Sequence, residues 1–371
     1  DNRHIYGPDN TSLYFKEFAK ITDDFFVDGV TYRIDFNELM VTLPYNDIRA
    51  VNNILKNYIN HLEKYQVTSI PYEQFQVKMG VLRYPVVTNQ TNVDMLLKFI
   101  DIAKEKSKLR KDTPYHQFTY SDYEEEAFEQ TILNYLNDSL EKKNLTLSFV
   151  QIIDIKKTVV WQYESEINIP NMKLDNRYII TLAKKRNRII DLDRHHILKV
   201  LNFLVKLSQE TKVLIKITIP ISEETFVDPT FNAFLIGAIK DRKIPFSFIR
   251  LKIDLNNIKT HHHAHKIHEL LNTGISLDTT ALAMALTYPF NALYIDFNDS
   301  DIKWQTYYGN LSKMLEEFHI TLIATNINSK DQIDTLNRLG IKLACGKLYP
   351  NISSEKLFNQ ILEMRRNAEN K

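Results

Sequence analysis

Five closely spaced histidines have the residue type and spacing best suited to metal binding: His261, His262, His263, His265 and His268. A helix would place three of them, His261, His265 and His268, near one face, where imidazole nitrogens can converge on zinc. No cysteine or carboxylate accompanies them at a fixed spacing, and the preceding segment is polar. The pattern therefore favours a solvated helix start, with adventitious zinc or nickel binding as the alternative.

Three other groups of side chains could do chemistry, and each also has an ordinary structural explanation. Cys345, the single cysteine, could be a nucleophile, but no partner histidine is indicated and a small buried residue is the expected role. Trp161 and Trp304 could stack on guanine, although packing is their commoner use. The basic run Lys184–Arg188 could bind phosphate or an acidic partner, and otherwise is the solvated end of a helix.

The composition limits which functions these residues can serve. The 371 residues carry 47 Lys and Arg against 46 Asp and Glu, so charge does not favour nucleic acid or an anionic membrane as a partner. Only eight glycines are present, where average usage would give roughly 26, and no two form a Gly-x-Gly unit. Walker and dinucleotide-binding loops are thereby excluded. The single cysteine excludes an internal disulfide framework and indicates a reducing, cytoplasmic location.

Length and periodicity predict two domains that position these residues. In the first half, apolar residues from Val51 to Leu62 recur at helical spacing and predict a helix. Residues 33–44 and 76–84 are typical of strands closed by turn residues, and 96–106 is predicted to form another helix. The first half is therefore predicted to be a compact α/β unit.

The junction between the two halves is predicted in the segment 121–143. There the sequence turns acidic and then helical, with Glu124 to Glu126 in the first turn, where negative charge suits the helix dipole. From Leu145 onward, strand-like and helix-like runs alternate through the rest of the chain. Such alternation is typical of a parallel sheet or barrel.

Scaffold segments of the second half share their order, spacing and residue type with a known family. They are the helix and strand over 123–150, the segments Ile179–Ala183 and Ile189–Asp193, and residues 322–346, which end in Cys345-Gly346. These segments resemble the corresponding parts of EAL domains, the barrel-type phosphodiesterase modules of bacterial cyclic di-GMP signalling. The resemblance implies that residues 121–371 form an EAL-like TIM-type (β/α) barrel.

The first half contains a motif that is similar to another module of the same signalling system. The run Arg33 to Leu39, followed by Leu43-Pro44, stands where GGDEF domains, the diguanylate cyclases, have an arginine, their Gly-Gly-Asp-Glu-Phe signature and Leu-Pro. The resemblance implies a GGDEF-like α/β sandwich over residues 1–120. Tyr6-Gly7 would fall mid-domain, so we expect the first strand, with its metal-binding aspartate, to be absent and the full-length protein to continue upstream.

The residues at the GGDEF signature do not suit the chemistry of that family. The signature positions are Asp35, Phe36, Asn37, Glu38 and Leu39. Cyclisation of GTP needs the signature glycines for close phosphate approach and acidic groups for divalent metal. Asp35 and Phe36 replace both glycines, and Asn37 replaces an acidic ligand. The family's inhibitory product site is lost as well, since its positions hold Phe26 and Gly29. We therefore expect a hairpin retained for folding, without cyclase activity.

The positions that resemble the EAL catalytic site have also changed. They are Glu164, Glu166, Asn168, Thr218, Lys252, Asp278, Thr279, Tyr294, Thr325, Asn328 and Cys345. Hydrolysis in the family uses carboxylates at strand ends to hold a metal pair that activates water. Lys252 would bring positive charge to that site, and Glu164 and Asp278 alone cannot bind two divalent ions. We expect these two carboxylates to pair with Lys252 or to cap a loop. The alternative is a residual ligand contact, shared with Trp161.

The sequence as a whole favours a catalytically inactive tandem GGDEF–EAL-like protein that acts through protein partners, with no metal or other cofactor. Two alternatives stay open: a cyclic di-GMP receptor that uses the barrel mouth, and a residual phosphodiesterase. Receptors of the family usually keep more of the Glu-x-Leu-x-Arg signature than Glu164–Asn168 retains, which favours the scaffold. EAL-like modules often pair through the side of the barrel, so a homodimer is a further expectation. The expected location is cytoplasmic, either free or as part of a membrane-attached protein whose anchor lies upstream.

Overall fold

The computed structural model of the protein describes residues 3–70, 73–170, 172, 174–253, 263–298 and 302–369. The chain divides into two compact units, Asp1–Thr131 and Ile132–Lys371. This boundary falls inside the helix Tyr120–Glu141, which begins where the sequence predicted a change of domain between residues 120 and 121. A continuous helix therefore carries the chain from one unit into the next.

The first unit contains a hairpin, a two-stranded parallel sheet and helices. Its elements are α1 (Arg3–Phe25), β1 (Val30–Asp35), β2 (Glu38–Thr42), α2 (Ile48–Lys64), β3 (Met79–Val81), α3 (Val93–Leu109), β4 (Tyr115–Gln117) and the beginning of α4 (Tyr120–Glu141). β1 and β2 pair antiparallel, whereas β3 and β4 pair in parallel. The helices predicted over 51–62 and 96–106 are confirmed. Each begins earlier than its periodic segment because the side chain of Asp47 or Asn92 caps the first turn.

Strand β3 lies very close to helix α3. A Cβ atom at Gly80 would stand 2.2 Å from the carbonyl oxygen of Ile100, so only glycine fits there. Next to this contact, the rings of Phe99 and Phe118 stack with their centroids 4.5 Å apart, and both side chains are buried. Of the strand predicted over 76–84, only Met79–Val81 is paired.

The second unit alternates strands and helices. Its strands are β5 (Thr146–Asp154), β6 (Val159–Asn168), β7 (Ile217–Ile221), β8 (Ile249–Ile253), β9 (Ser276–Thr279), β10 (Ala292–Asp296), β11 (Thr321–Thr325), β12 (Leu343–Ala344) and β13 (Ile352–Ser353). Its helices are α5 (Asn176–Lys185), α6 (Ile189–Thr211), α7 (Glu223–Val227), α8 (Phe231–Asp241), α9 (Ala264–Asn272), α10 (Leu282–Thr287), α11 (Ile302–Glu317), α12 (Lys330–Arg338) and α13 (Ser354–Glu369).

The strands of this unit close into a barrel. β5 to β12 pair in chain order, and β12 pairs back onto β5. The strands from β6 to β12 run parallel, which confirms the predicted TIM-type barrel, but β5 is antiparallel to both of its neighbours. Residues 155–158 alone connect β5 to β6, and a connection this short permits only a hairpin, because parallel neighbours need a crossover of a dozen or more residues. β13 adds a further antiparallel pairing to β5.

Strand alternation separates the barrel wall from its lumen. In β8, Ile249, Leu251 and Ile253 are fully buried in the layer between strands and helices, while Arg250 and Lys252 point the other way. On the β10–β12 and β5 side, the lumen holds an apolar cluster that includes Ile152, Tyr294 and Cys345, among others. Within the described part of the chain, no helix combines the length and hydropathy needed to cross a bilayer.

Candidate functional site

Four neighbouring strands, β6 to β9, bring polar side chains together in the lumen. Their register places Glu164 beside Thr218, Thr218 beside Arg250, and Lys252 beside Asp278. Because these strands are parallel, their carboxyl ends open at one mouth of the barrel, where barrel enzymes place their chemistry. Positions that resemble the EAL site but lie far apart in the sequence are therefore brought into one cluster.

Lys252 forms an ion pair with Glu164 in the lumen. Its ammonium donates a hydrogen bond to Glu164 Oε1, and its Nζ lies 4.7 Å from the centroid of the Tyr294 ring. Glu164 is 8% exposed, so this carboxylate has lost most of its water and needs the positive charge. The pairing of Glu164 with Lys252 is the arrangement expected from the sequence.

Asp278 pairs with a different cation, Arg250. The guanidinium donates two hydrogen bonds in a fork, from Nε to Oδ2 at 3.0 Å and from Nη2 to Oδ1 at 2.5 Å. Burial raises the pKa of Asp278, whose side chain is completely enclosed, and the Arg250 guanidinium acts in the opposite direction. The expected pairing of Asp278 with Lys252 is replaced by this fork, because Arg250 presents two donors in the geometry that a carboxylate accepts.

Trp161 lies on the other side of Arg250 from the mouth. It stands three residues before Glu164, on the amino-terminal part of β6, at a position that the pairing register with β5 skips. Its ring centroid is 5.3 Å from Arg250 Cζ, and the side chain is 39% exposed. The indole ring therefore forms a cation–π contact with the guanidinium. A strand rises about 3.3 Å per residue, so Trp161 stands roughly 10 Å from Glu164 along the strand.

The Tyr294 hydroxyl is enclosed in the lumen without a hydrogen-bond partner of good geometry. Burial, together with the carboxylates of Glu164 and Asp278, raises the pKa of Tyr294 well above its usual value, and the nearby Thr218 hydroxyl lowers it in part. Thr218 itself accepts a hydrogen bond from the side chain of Gln162. The phenol is therefore neutral at physiological pH and brings no charge to the lumen.

The last residues of β6 form part of the rim of the mouth. Glu166 Oε2 accepts a hydrogen bond from Asn351 Nδ2 at 2.7 Å, and Asn168 Nδ2 donates to the Ser148 hydroxyl at 2.9 Å. Burial and the neighbouring Glu164 raise the pKa of Glu166, and Lys252 lowers it in part. The first hydrogen bond links the end of β6 to the residue before β13, and the second links it to β5.

Three other predicted positions serve the backbone around them. The Thr279 hydroxyl accepts a hydrogen bond from the Ala281 amide at 3.1 Å, and the Thr325 hydroxyl donates to the Ile295 carbonyl at 3.0 Å. The Asn328 side-chain Nδ2 donates to the Asn326 carbonyl at 2.9 Å, and its backbone N–H donates to Gln332 Oε1 at 2.7 Å, at the start of α12. None of these contacts joins the charged cluster.

Cys345 closes the apolar side of the lumen. It is buried, and burial raises the pKa of its thiol to about 12, so the reactive thiolate is scarce. Gly346 fixes its position: with φ at 155°, a Cβ there would stand 2.2 Å from the backbone nitrogen of Ile327. The glycine lets the chain after β12 pass against this loop, which the sequence indicated only through the Cys345-Gly346 pair.

The remaining candidates from the sequence are placed outside the barrel lumen. Of the histidine cluster, His261 and His262 lie outside the described residues, and the His263 and His268 rings pack 6.1 Å from Phe226 and Tyr288, respectively. In the basic run 184–188, Lys184 pairs with Glu224 at 3.0 Å and Arg188 with Asp191 at 2.7 Å. The Trp304 ring stacks on Tyr308 with a centroid separation of 5.8 Å.

The lumen as it stands does not fit a pair of divalent cations. Its two carboxylates at the expected ligand positions, Glu164 and Asp278, are each held by a cation of the chain itself. In the ranges that the structure describes, no group of three or more His, Cys, Asp and Glu side chains is placed to hold a metal ion. The Lys252 ammonium would also repel a divalent cation placed beside Glu164.

Arg250 belongs to this cluster but is not one of the positions that resemble the EAL catalytic site. Its signal was the alternation in β8, where Arg250 and Lys252 share one strand face. Two cations on the inner face of a barrel strand require two anions, because an uncompensated charge in a lumen is costly. That rule predicts that both cations are paired, but not which carboxylate each of them takes.

Residues 133–351 match the EAL domain family. The chain belongs to this family. The match covers more than half of the chain and does not extend into residues 1–132. No curated protein matches the chain.

Solved structures share the EAL fold at low sequence identity. The EAL enzyme Bd1971, with cAMP and cyclic di-GMP bound, has a TM-score of 0.57 and 15% identity, covering 74% of this chain and 77% of that one. The Xanthomonas citri FimX EAL domain in complex with c-diGMP has a TM-score of 0.54 and 12% identity, covering 62% and 96%. The PaMucR phosphodiesterase, in a c-di-GMP complex, has a TM-score of 0.56 and 15% identity, covering 61% and 99%. At these identities the likeness establishes the fold.

Proposed function

We propose that this EAL protein is a regulatory or scaffold member of the cyclic di-GMP signalling family that does not turn over the nucleotide. The observation that carries the proposal is the double ion pair in the lumen, Lys252 with Glu164 and Arg250 with Asp278. Metal-assisted hydrolysis of a phosphodiester needs carboxylates free to bind two cations and activate water. Here the chain's own cations occupy the same carboxylates, which supports a structural role for them.

Residues 1–120 are proposed to derive from a GGDEF domain that has lost cyclase activity, followed by the EAL-like barrel over 121–371. The antiparallel pair β1 and β2, with residues 36 and 37 at its turn, supports the proposed retention of the signature hairpin. At that turn, the Asp35 carboxylate accepts a hydrogen bond from the Phe36 amide at 2.6 Å, and Arg33 Cζ lies 5.8 Å from the Phe36 ring centroid. A turn filled by these side chains leaves little room for the phosphates of GTP.

The absence of turnover is tested by incubating the full chain with cyclic di-GMP and millimolar Mn²⁺ or Mg²⁺ and separating the products by chromatography. We expect no linear dinucleotide above the level of a no-protein control. A Glu164→Gln variant, purified in parallel, controls for a contaminating phosphodiesterase. Hydrolysis by the wild type that Glu164→Gln abolishes would contradict the proposal and restore the third candidate, a residual phosphodiesterase.

A cyclic di-GMP receptor is the second candidate, and the buried Tyr294 hydroxyl without a partner is the observation that favours it. A buried donor without a partner is a group that a ligand bound in the lumen could satisfy. Calorimetric titration of cyclic di-GMP, with and without Mg²⁺, separates the two candidates. Binding at micromolar affinity that Glu164→Ala weakens, and that Glu355→Ala on exposed α13 does not, would identify a receptor. No heat up to about 100 μM ligand would favour the scaffold.

The proposed location is cytoplasmic, and the proposed partners are proteins, including a second copy of the chain. Sedimentation at two protein concentrations tests the homodimer, since mass action raises the dimer fraction with concentration. A single species of monomer mass at both concentrations would contradict it.

A further inference from the structure

The first unit contains a cavity of about 390 Å³ that the EAL family match does not reach. It is lined by the start of α2, by Arg83 after β3, by Arg110 directly after α3, and by residues 115–119, which are β4 and the two residues that follow it. β3 and β4 are parallel, and part of the wall comes from residues just beyond their carboxyl ends, where parallel sheets usually bind ligands. Its volume is in the range of small-molecule sites.

Two arginines line this cavity without a carboxylate to balance them. Neither Arg83 nor Arg110 forms an ion pair in the described part of the chain, and no Asp or Glu lines the cavity. Arg83 Nη1 reaches the Asn46 carbonyl at 3.4 Å, while its Nε is buried without a hydrogen-bond partner. Arg110 Nη1 reaches the Thr113 hydroxyl at 3.5 Å. Both contacts are at the long limit of hydrogen bonding, so the guanidinium donors are largely unused.

Three lysines of the neighbouring helix α3 have carboxylate partners. In α3, Lys104 Nζ lies 2.9 Å from Glu38, Lys106 Nζ 2.7 Å from Asp122, and Lys108 Nζ 2.6 Å from Glu105. Arg83 and Arg110 differ from these three lysines in having no carboxylate partner in the described part of the chain. A cavity with uncompensated guanidinium groups favours an anion over a neutral ligand.

Other residues of the lining are held in place by hydrogen bonds. Asn52 Oδ1 accepts from the Tyr115 hydroxyl at 3.2 Å and from Gln117 Nε2 at 2.7 Å, which ties β4 to α2. His116 Nε2 lies 3.0 Å from Asp122, so this ring is also oriented. Phe118, which is buried, supplies an apolar part of the lining. The site is therefore organised before a ligand arrives, which lowers the entropy cost of binding.

We propose that this cavity binds an organic phosphate monoester, with Arg83 and Arg110 on the phosphate and the apolar wall against the organic part. A phosphate monoester carries close to two negative charges at neutral pH, which matches two guanidinium groups. Arginine donates in a fork that suits phosphate oxygens, and Arg83 Nε supplies a donor that has no partner within the chain.

The test is calorimetric titration of the full chain with adenosine 5′-monophosphate, ribose 5-phosphate, inorganic phosphate, citrate and uncharged adenosine. We expect the monophosphates to bind and adenosine to give no heat. Arg83→Gln combined with Arg110→Gln should weaken adenosine monophosphate binding by about tenfold or more. Arg49→Gln, which removes an exposed arginine of α2 that does not line the cavity, is the matched control and should leave binding within about twofold.

Four outcomes would overturn the proposal. They are no heat from any phosphate up to about 5 mM, citrate binding as tightly as the monophosphates, adenosine binding as tightly as its monophosphate, and equal weakening by Arg49→Gln. Circular dichroism of the double variant, unchanged from the wild type, shows that a loss of binding is not a loss of fold. Single Arg83→Gln and Arg110→Gln variants then assign the contribution of each guanidinium.

Discussion

The barrel lumen and the cavity of the first unit treat positive charge in opposite ways. In the lumen, Arg250 and Lys252 each hold a carboxylate that the fold itself supplies. In the cavity, Arg83 and Arg110 have no such partner among the residues described. Whether a cation has a carboxylate partner within the chain, more than whether it lines a cavity or a lumen, therefore decides what it can do. A cation already satisfied by the chain stabilises the fold, whereas an unsatisfied one is available to a ligand.

The largest expected effect is the difference between two arginine truncations. Arg250→Ala should lower the free energy of unfolding by about 3–5 kcal/mol, because it leaves the Asp278 carboxylate enclosed without a partner. Arg83→Ala should cost less than about 1 kcal/mol, since it removes no ion pair. Urea unfolding at pH 7 measures both. Similar losses of stability for the two variants would contradict the conclusion that Arg250, unlike Arg83, stabilises the fold.

The Arg250→Ala loss should also depend on pH. Burial raises the pKa of Asp278, and removing the guanidinium removes an influence that lowers it. The native variant then binds a proton that the unfolded chain releases, so its stability falls as pH rises above the unfolded pKa. The deficit should be larger at pH 8 than at pH 5. In a double variant, Arg250→Leu with Asp278→Leu, much of the loss should be recovered, because no unpaired charge remains.

A smaller effect is expected from Lys252→Gln. It should cost about 2 kcal/mol, because Glu164 loses its cation while keeping a neutral neighbour. Lys342→Gln is the matched control, since Lys342 pairs with Glu316 at 2.8 Å on the surface, and it should cost about 0.5 kcal/mol or less. A loss for Lys252→Gln no larger than that for Lys342→Gln would contradict the need of Glu164 for its buried cation.

A buried imidazole with an unpartnered ring nitrogen should make the fold sensitive to acid. His196 on α6 is buried, its Nε2 has no hydrogen-bond partner, and burial lowers its pKa to about 3. The unfolded imidazole titrates near 6.5, so the unfolded chain binds more protons below that pH and stability falls from there toward pH 3.

The contribution of His196 between pH 7 and pH 5 should be about 2 kcal/mol, measured by urea unfolding at both values. His196→Leu should lose this part of the pH dependence, while His265→Gln on the exposed side of α9 should keep it. Unchanged pH dependence in His196→Leu would mean that the imidazole is charged in the fold.

The smallest effect is expected at Cys345, on the apolar side of the lumen. Burial raises the pKa of its thiol to about 12, so a thiol reagent at pH 8 should label it only after unfolding. Cys345→Ala should cost about 1 kcal/mol, the loss of a small packed group. Rapid labelling of the native protein would show that the lumen opens on the side opposite the ion pairs.

The helices could be predicted because they depend on local periodicity, whereas the barrel followed from the alternation of strand-like and helix-like runs together with the resemblance to EAL domains. The apolar positions from Val51 to Leu62 gave a helix, and the alternation in β8 gave a strand with Arg250 and Lys252 on one face. The reversed direction of β5 was not predicted, although the short connection over 155–158 contained the information.

The residues of the candidate site could be predicted, but the ion pairs that they form could be predicted only in part. The cluster of Glu164, Lys252, Asp278 and Tyr294 follows from their places at strand ends. Which cation takes which carboxylate depends on side-chain reach across the lumen, and a sequence has no measure of that distance. The cavity beside β4 was not predicted at all, because residues on α2, after β3 and on β4 meet there only through tertiary packing.

Strand β5 has a consequence for the biosynthesis of the barrel. Its Ile153 pairs with Ala344 of β12, and its Phe149 pairs with Ile352 of β13. The ribosome makes β12 and β13 only after nearly all the other elements of the barrel. Until then, β5 has only β6 beside it, and its other edge presents free amides and carbonyls to any strand nearby. Contacts this distant in sequence also form slowly. The free edge of β5 is therefore open to pairing with other chains until β12 and β13 have been made, and closing of the barrel removes it.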